Sequence, residues 1–400
     1  MSTRAAALLR KPGQPQRPSL LELFFDLVFV FALNRVSHRL VEDLTERRMV
    51  RSEVGESLLL LLAFMVLWFV TAWVTDIYDP RRPQLQLLVY AAMLGAMMMA
   101  VAVPQAFGDR ALAFAGAYVA VHIVRGLVIV PWLRGHEAQR RAAGVLFWFS
   151  ISAVPWIAGA IVVDPARGWL WTLAIGIDCV ALLLFYPAPW TRPIPRQWPV
   201  LAEYLSERYR QFFIIALGEL ILTTGSAYSD TSFGQGGAAA AFAVSFVTTI
   251  LLFRVYLFRA GQLLPDAIRV SGEPARLIRE AFLAHVLMVV GIVAVAVGYE
   301  IVIDHPFGDT DTGWILVVLG GPTLFLIGRS LVEHAVFDRV SRSRIIGALA
   351  LVGAAPAMTL LPPLAAAVTA VVVLAGIATS DTIRAHGKPP ERPYPRWLEH

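Results

Sequence analysis

Of the 400 residues, 57% are hydrophobic and 16% charged, whereas a soluble globular chain carries about a quarter charged residues. With a mean hydropathy of +0.64, a water-soluble fold of this length is excluded. The net charge of +5 does not point to nucleic acid. The Arg residues sit in short segments between apolar stretches, as the positive-inside rule produces, and not among stacking aromatics in a soluble module. Membrane lipids with anionic headgroups are the partner this basic surface suits.

In chain order, residues 1–19 form a Pro- and Arg-rich tail with no apolar core of signal-peptide length. The first span is therefore expected to act as an uncleaved anchor. Apolar stretches predict spans at 20–41, 56–78, 84–105, 111–133, 143–163, 167–187, 209–228, 237–259, 281–303, 313–334, 345–361 and 363–381. Runs such as 58–74 and 348–379 hold no ionisable group and match a hydrocarbon core about 30 Å thick. The last two spans meet at Pro362-Pro363, either as a tight hairpin or as one re-entrant pair.

The expected fold is thus all-α, a polytopic transmembrane helical bundle of about twelve spans. A Pro-rich linker at 189–208 separates a first six-helix half (20–188) from a second (209–381), and a tail follows at 382–400. Two parallel six-helix repeats, a recurring plan in transporters, are one reading of that parity. Phe24-Phe25 and Phe212-Phe213 open corresponding spans, a faint echo.

Orientation follows from the 34 Lys and Arg. Counting loop by loop, 26 lie on the N-terminal side of the bilayer, 5 on the other and 3 within spans. This places both termini in the cytoplasm of a multi-pass plasma-membrane protein.

Ionisable residues inside spans cost about 2.5–3.5 kcal/mol each at the helix centre, so each requires a partner or a function. Glu22 lies in the first turn of its span, where capping is the simplest reading. Asp26, one turn deeper, has Arg125, Arg254 and Arg329 as candidate partners at similar depth. Asp178, Glu219 and His122 fall near the midplane, and small Gly218 before Glu219 suggests close helix approach. His285 and Glu300 read as interfacial, and Arg35, His38 and Arg39 as a solvated helix end. Trp73, Trp132, Trp148, Trp169 and Trp171 read as an aromatic belt.

Several chemistries are absent from the sequence. The lone Cys179 rules out a disulfide within the chain. There is no HExxH, Walker loop or dinucleotide glycine motif, and no GxSxG elbow. No His pair has metal-ligand spacing on one helix. No catalytic residue, metal or cofactor is implied.

Three segments together resemble the bacterial low temperature requirement protein A family. They are Glu22-Leu-Phe-Phe-Asp26-Leu-Val-Phe-Val-Phe-Ala32, then Glu207-Arg208 with Phe213-Ile-Ile-Ala-Leu-Gly218-Glu219, and His285-Val-Leu-Met-Val-Val-Gly-Ile292 leading to Gly298-Tyr-Glu300. Val103-Pro-Gln-Ala-Phe107 and Tyr118 with Arg125 belong to the same likeness. The resemblance implies an integral membrane protein linked to growth in the cold and names no substrate. Where the family commonly has a His ahead of Glu207-Arg208, Glu203 or Tyr204 stands here.

The leading expectation is a secondary transporter or channel for a small solute or cation. Glu22, Asp26, Arg125, Asp178, Glu219 and Arg329 would line or gate its path between the halves. The alternatives are a non-transporting membrane sensor or scaffold and a membrane-embedded lipid-modifying enzyme, the last using Glu203, Glu207 or His285. The sequence leaves an oligomer open.

Overall fold

In hydrocarbon every backbone amide and carbonyl must find its partner within the protein, and the helix does so within one segment. The computed structural model describes residues 9–10, 18–47, 50–163, 165–190, 202–231, 236–387 and 391–395. Most of the N-terminal tail and of the 189–208 linker, part of the C-terminal tail, and the side chains of Arg47, Arg48, Arg51 and Glu203 lie outside them.

Among the described residues the regular structure is helical. The first group is α1 (Leu20–Glu42), α2 (Val50–Ile77), α3 (Pro83–Ala102), α4 (Ala111–Trp132), α5 (Ala138–Ile161) and α6 (Ala166–Leu183). There follow α7 (Ala202–Asp230), α8 (Gly236–Leu257), α9 (Ala260–Val270), α10 (Pro274–Asp304), α11 (Thr312–Val318), α12 (Gly320–Phe337), α13 (Arg342–Met358) and α14 (Pro363–Ala385).

Ten helical segments are long and apolar enough to cross a bilayer, with α8–α9 and α11–α12 each counting as one. The expected α1 span falls outside that set because Glu22, Asp26, Arg35 and Arg39 crowd its 23 residues. The α13 span falls outside because it has 17 residues, about 25 Å of helix. Fold class and polytopic character are as the sequence indicated.

The chain divides into two compact units, Met1–Val36 with Val54–Pro195, and Ser37–Glu53 with Arg196–His400. The first is organised around aromatic rings that meet edge-on, the arrangement their quadrupoles favour. Phe25 meets Phe29 at 5.1 Å, Phe29 meets Phe64 at 6.4 Å, and Phe64 meets Phe114 at 5.9 Å. Trp171 is not in an interfacial belt: it is fully buried, packs on Trp156 at 5.3 Å and donates its indole N–H to the Trp156 carbonyl. Trp169, two residues earlier, is 75% exposed, as a belt residue would be.

Arg167, the first residue of the expected span at 167–187, is buried beneath the same end of the unit. It donates to the carbonyls of Gly159 and Val162 at the end of α5, and to those of Phe107 and Gly108. Carbonyls at the end of a helix such as α5 have no partner within it, and a guanidinium supplies several donors in one plane.

The second unit is built on glycines. A Cβ at Gly291 would lie 2.6 Å from the Phe325 amide nitrogen, and one at Gly321 would lie 2.8 Å from that of Val295. A Cβ at Gly328 would meet the Ala284 carbonyl at 2.6 Å, and one at Gly298 would meet Val318 at 3.0 Å. The spacing of seven on each partner keeps α10 and the α11–α12 pair in backbone contact, the small-residue packing used where lipid is as apolar as leucine. Gly218 has no such role: nothing stands within 4 Å of its missing Cβ.

The expected span at 313–334 is interrupted at Leu319, because Pro322 has no N–H to return to the preceding turn. The segment read as a loop after α8 contains α9, which turns off at Arg259 (φ 49°) and buries Leu264, Ala267 and Ile268. Residues 391–395 lie against the same unit: Glu391 pairs with Arg259 and Arg339, and the Tyr394 amide donates to the Val336 carbonyl.

Replacing Gly321 by Leu is expected to lower the thermal unfolding temperature in detergent, by a cost of about 1–3 kcal/mol for overpacking. Gly218→Ala should be neutral or stabilising, since alanine is the better helix former. Equal melting temperatures for Gly321→Leu and the wild type would contradict this packing.

Candidate functional site: buried polar groups on the membrane helices

In the first unit, Glu22 is a helix cap. Its Oε2 accepts from the Ser19 amide at 2.6 Å, and Arg10 stands 4.0 Å from Oε1. With Ser19 at the N-cap and Glu22 three residues on, this is the carboxylate half of a capping box. Asp26 is 1% exposed, and its Oδ1 accepts from the Trp68 indole at 2.9 Å. Arg125, one of its three expected partners, instead donates to the Thr71 hydroxyl at 2.6 Å, and its Nη1 is buried without a hydrogen-bond partner.

Tyr118, His122 and Arg125 recur at intervals of four and three along α4, on one buried face. His122 stacks on Phe149 with ring centres 3.7 Å apart and lies 4.6 Å from the Tyr118 ring, with neither ring nitrogen hydrogen-bonded. Tyr118 donates its hydroxyl proton to Asp178 Oδ2 at 2.9 Å, and the Trp156 indole donates to the same oxygen at 3.1 Å. Asp178 Oδ1 is buried and bare. The carboxylate is therefore fixed through Oδ2, while the Ser152 hydroxyl lies near it without completing a hydrogen bond to Oδ1.

The second unit repeats that pattern with different residues. Glu219 is fully buried on α7, and Thr223, one turn on, donates to its Oε1 at 2.8 Å. Its Oε2 has no partner. Ser37 of α1 faces this carboxylate without completing a hydrogen bond, and Glu300 lies within electrostatic range. Glu300, expected at the interface, is 9% exposed and lies 3.2 Å from His38 Nδ1. Of the three residues read as a solvated end of α1, Arg39 is buried against Asp43, whereas Arg35 and His38 are half-buried.

Arg329 is fully buried and donates to the carbonyls of Val255 and Phe258, closing the C-terminal end of α8. Arg254 donates to Thr382. His285, expected at the interface, is buried between Tyr209, stacked at 4.6 Å, and the Tyr256 hydroxyl at 3.1 Å. Of the remaining motif residues, Phe24 is exposed and Phe25 buried, Glu207 pairs with Arg210 at 2.8 Å, and Arg208 is fully buried.

Sequence reasoning missed a second kind of cluster. Arg344 is fully buried and bridges Glu333 at 2.9 Å and Asp381 at 3.0 Å, and Arg384 takes the other Asp381 oxygen at 2.7 Å. Ser341 adds amide and hydroxyl donors to Glu333. Two cations and two anions balance here, and both carboxylates are saturated. Asp381, just beyond a long apolar run, was the available signal. Among the described residues no group of three or more His, Cys, Asp or Glu could hold a metal ion.

Helices of this length, packed through glycine and carrying buried polar groups, define a polytopic α-helical membrane protein. Residues 17–379 match the family described as Bacterial low temperature requirement A protein (LtrA), and the chain belongs to it. It is 32% identical over 344 residues to Uncharacterized protein RA0937 of Rhizobium meliloti (strain 1021), covering 85% of this chain and 83% of that protein. No solved structure matches the chain.

Arg344→Ala would leave two buried carboxylates without their shared cation, a loss of about 3–5 kcal/mol. A large fall in melting temperature or in the yield of folded protein is the expected outcome. Unchanged thermal unfolding would contradict the bridging role.

Proposed function

We propose that this protein is a secondary transporter or channel for a small solute or cation, set in the plasma membrane with both termini in the cytoplasm. The observation that carries this reading is shared by the two units. Each holds a buried carboxylate on a membrane helix with one oxygen satisfied and the other bare, Asp178 and Glu219. A polar atom left unpaired in an apolar interior costs about 1–3 kcal/mol. Water, a proton or a passing solute offsets that cost, so such groups mark pathways.

In proteoliposomes, Asp178→Asn and Glu219→Gln should each lower solute or ion flux at least about tenfold while the protein still folds. Normal flux in both variants would overturn the assignment. Orientation has its own test. A fluorescent protein fused at residue 400 should fluoresce in cells and an alkaline phosphatase fused there should stay inactive; the reverse would place the C-terminus outside.

A second reading, a membrane sensor or scaffold, draws support from the saturated Arg344 cluster, which clamps helices and offers no open atom. It is favoured if no solute or ion moves through reconstituted wild-type protein.

A further inference from the structure

We propose that Glu219, with Ser37, Thr223 and Glu300, forms a binding site for one monovalent alkali cation within the second unit. This deepens the transport reading by naming a class of substrate or coupling ion, but it rests on binding, which is measurable without flux.

The donors come from three helices and are all oxygens. Glu219 and Thr223 stand one turn apart on α7 and are joined at 2.8 Å. Ser37 approaches from α1 and Glu300 from α10. Hard oxygen ligands of this kind suit alkali and alkaline-earth ions, whereas transition metals favour imidazole and thiolate.

Three oxygens in the cluster are buried with no partner: Glu219 Oε2, Ser37 Oγ and Glu300 Oε2. The side chains of Glu219 and Ser37 are fully excluded from solvent. Ser37 is the decisive residue. Its hydroxyl is the group of α1 that faces the Glu219 carboxylate, close enough to act on it, and neither Ser37 Oγ nor Glu219 Oε2 reaches full hydrogen-bond geometry, an arrangement a cation between them would use.

Charge selects the valence. His38 Nδ1 stands 3.2 Å from Glu300; with that imidazole protonated the pair is neutral and one net negative charge is left at Glu219. A calcium site takes six to eight oxygens, with several carboxylates among them, which this cluster lacks. A single charge balances one alkali ion.

The test uses the full-length protein in detergent, with thermal unfolding followed by tryptophan fluorescence. NaCl and KCl are each compared with choline chloride at constant ionic strength. At saturation, at least one alkali ion should raise the melting temperature by about 2–5 °C. Glu219→Gln should abolish the rise. Because that variant could fail to fold, Ser37→Ala serves beside it: it loses only a hydroxyl and should weaken the half-saturating concentration about tenfold.

Identical melting temperatures of the wild type in all three salts would overturn the site, and so would full ion stabilisation in Ser37→Ala. Ion stabilisation without flux in proteoliposomes would leave the site standing and remove transport. Flux without ion stabilisation would do the reverse.

Discussion

Tyr118 and Trp156 both donate to one oxygen of Asp178 and leave the other bare. In water the arrangement would have no consequence, since solvent would fill the gap. Inside a bilayer there is no such reserve, and an unpaired carboxylate oxygen is costly. The same half-satisfaction recurs at Glu219 through Thr223. It separates these two carboxylates from Glu333 and Asp381, whose oxygens are all taken. Burial is common to all four carboxylates; the number of hydrogen bonds each accepts is not.

The arginines follow the complementary rule. Arg167 and Arg329 spend their guanidinium groups on carbonyls at helix ends, which have no partner of their own. Arg344 spends its group on two carboxylates. Arg125 differs in its acceptor, a single hydroxyl at Thr71, on the same α4 face as Tyr118 and His122; its Nη1, like that of Arg329, is buried without a hydrogen bond. Among the four, its geometry most resembles that of the open carboxylates.

Much of this fold was legible in the sequence, because a hydrocarbon core rewards long apolar runs and charged loops mark their ends. The helical class, the buried polar character of Asp26, Asp178 and Glu219, and the capping role of Glu22 all follow from depth along a helix. The errors share one cause: which face of a helix turns inward depends on its neighbours. Trp171 and Trp169 are two residues apart and point to different worlds, one core and one lipid. Gly218 and Gly291 are equally small, yet only Gly291 meets a backbone. The pairing of Arg344 with Asp381 spans 37 positions and leaves no periodic trace.

The most direct measurement is a density map of the protein in lipid at a resolution that shows ordered water and ions. Density at hydrogen-bonding or coordination distance, roughly 3 Å, from both Asp178 Oδ1 and Glu219 Oε2 is the expected result. Closed apolar contact around both oxygens, with no solvent or ion beside them, would contradict a polar pathway through either unit.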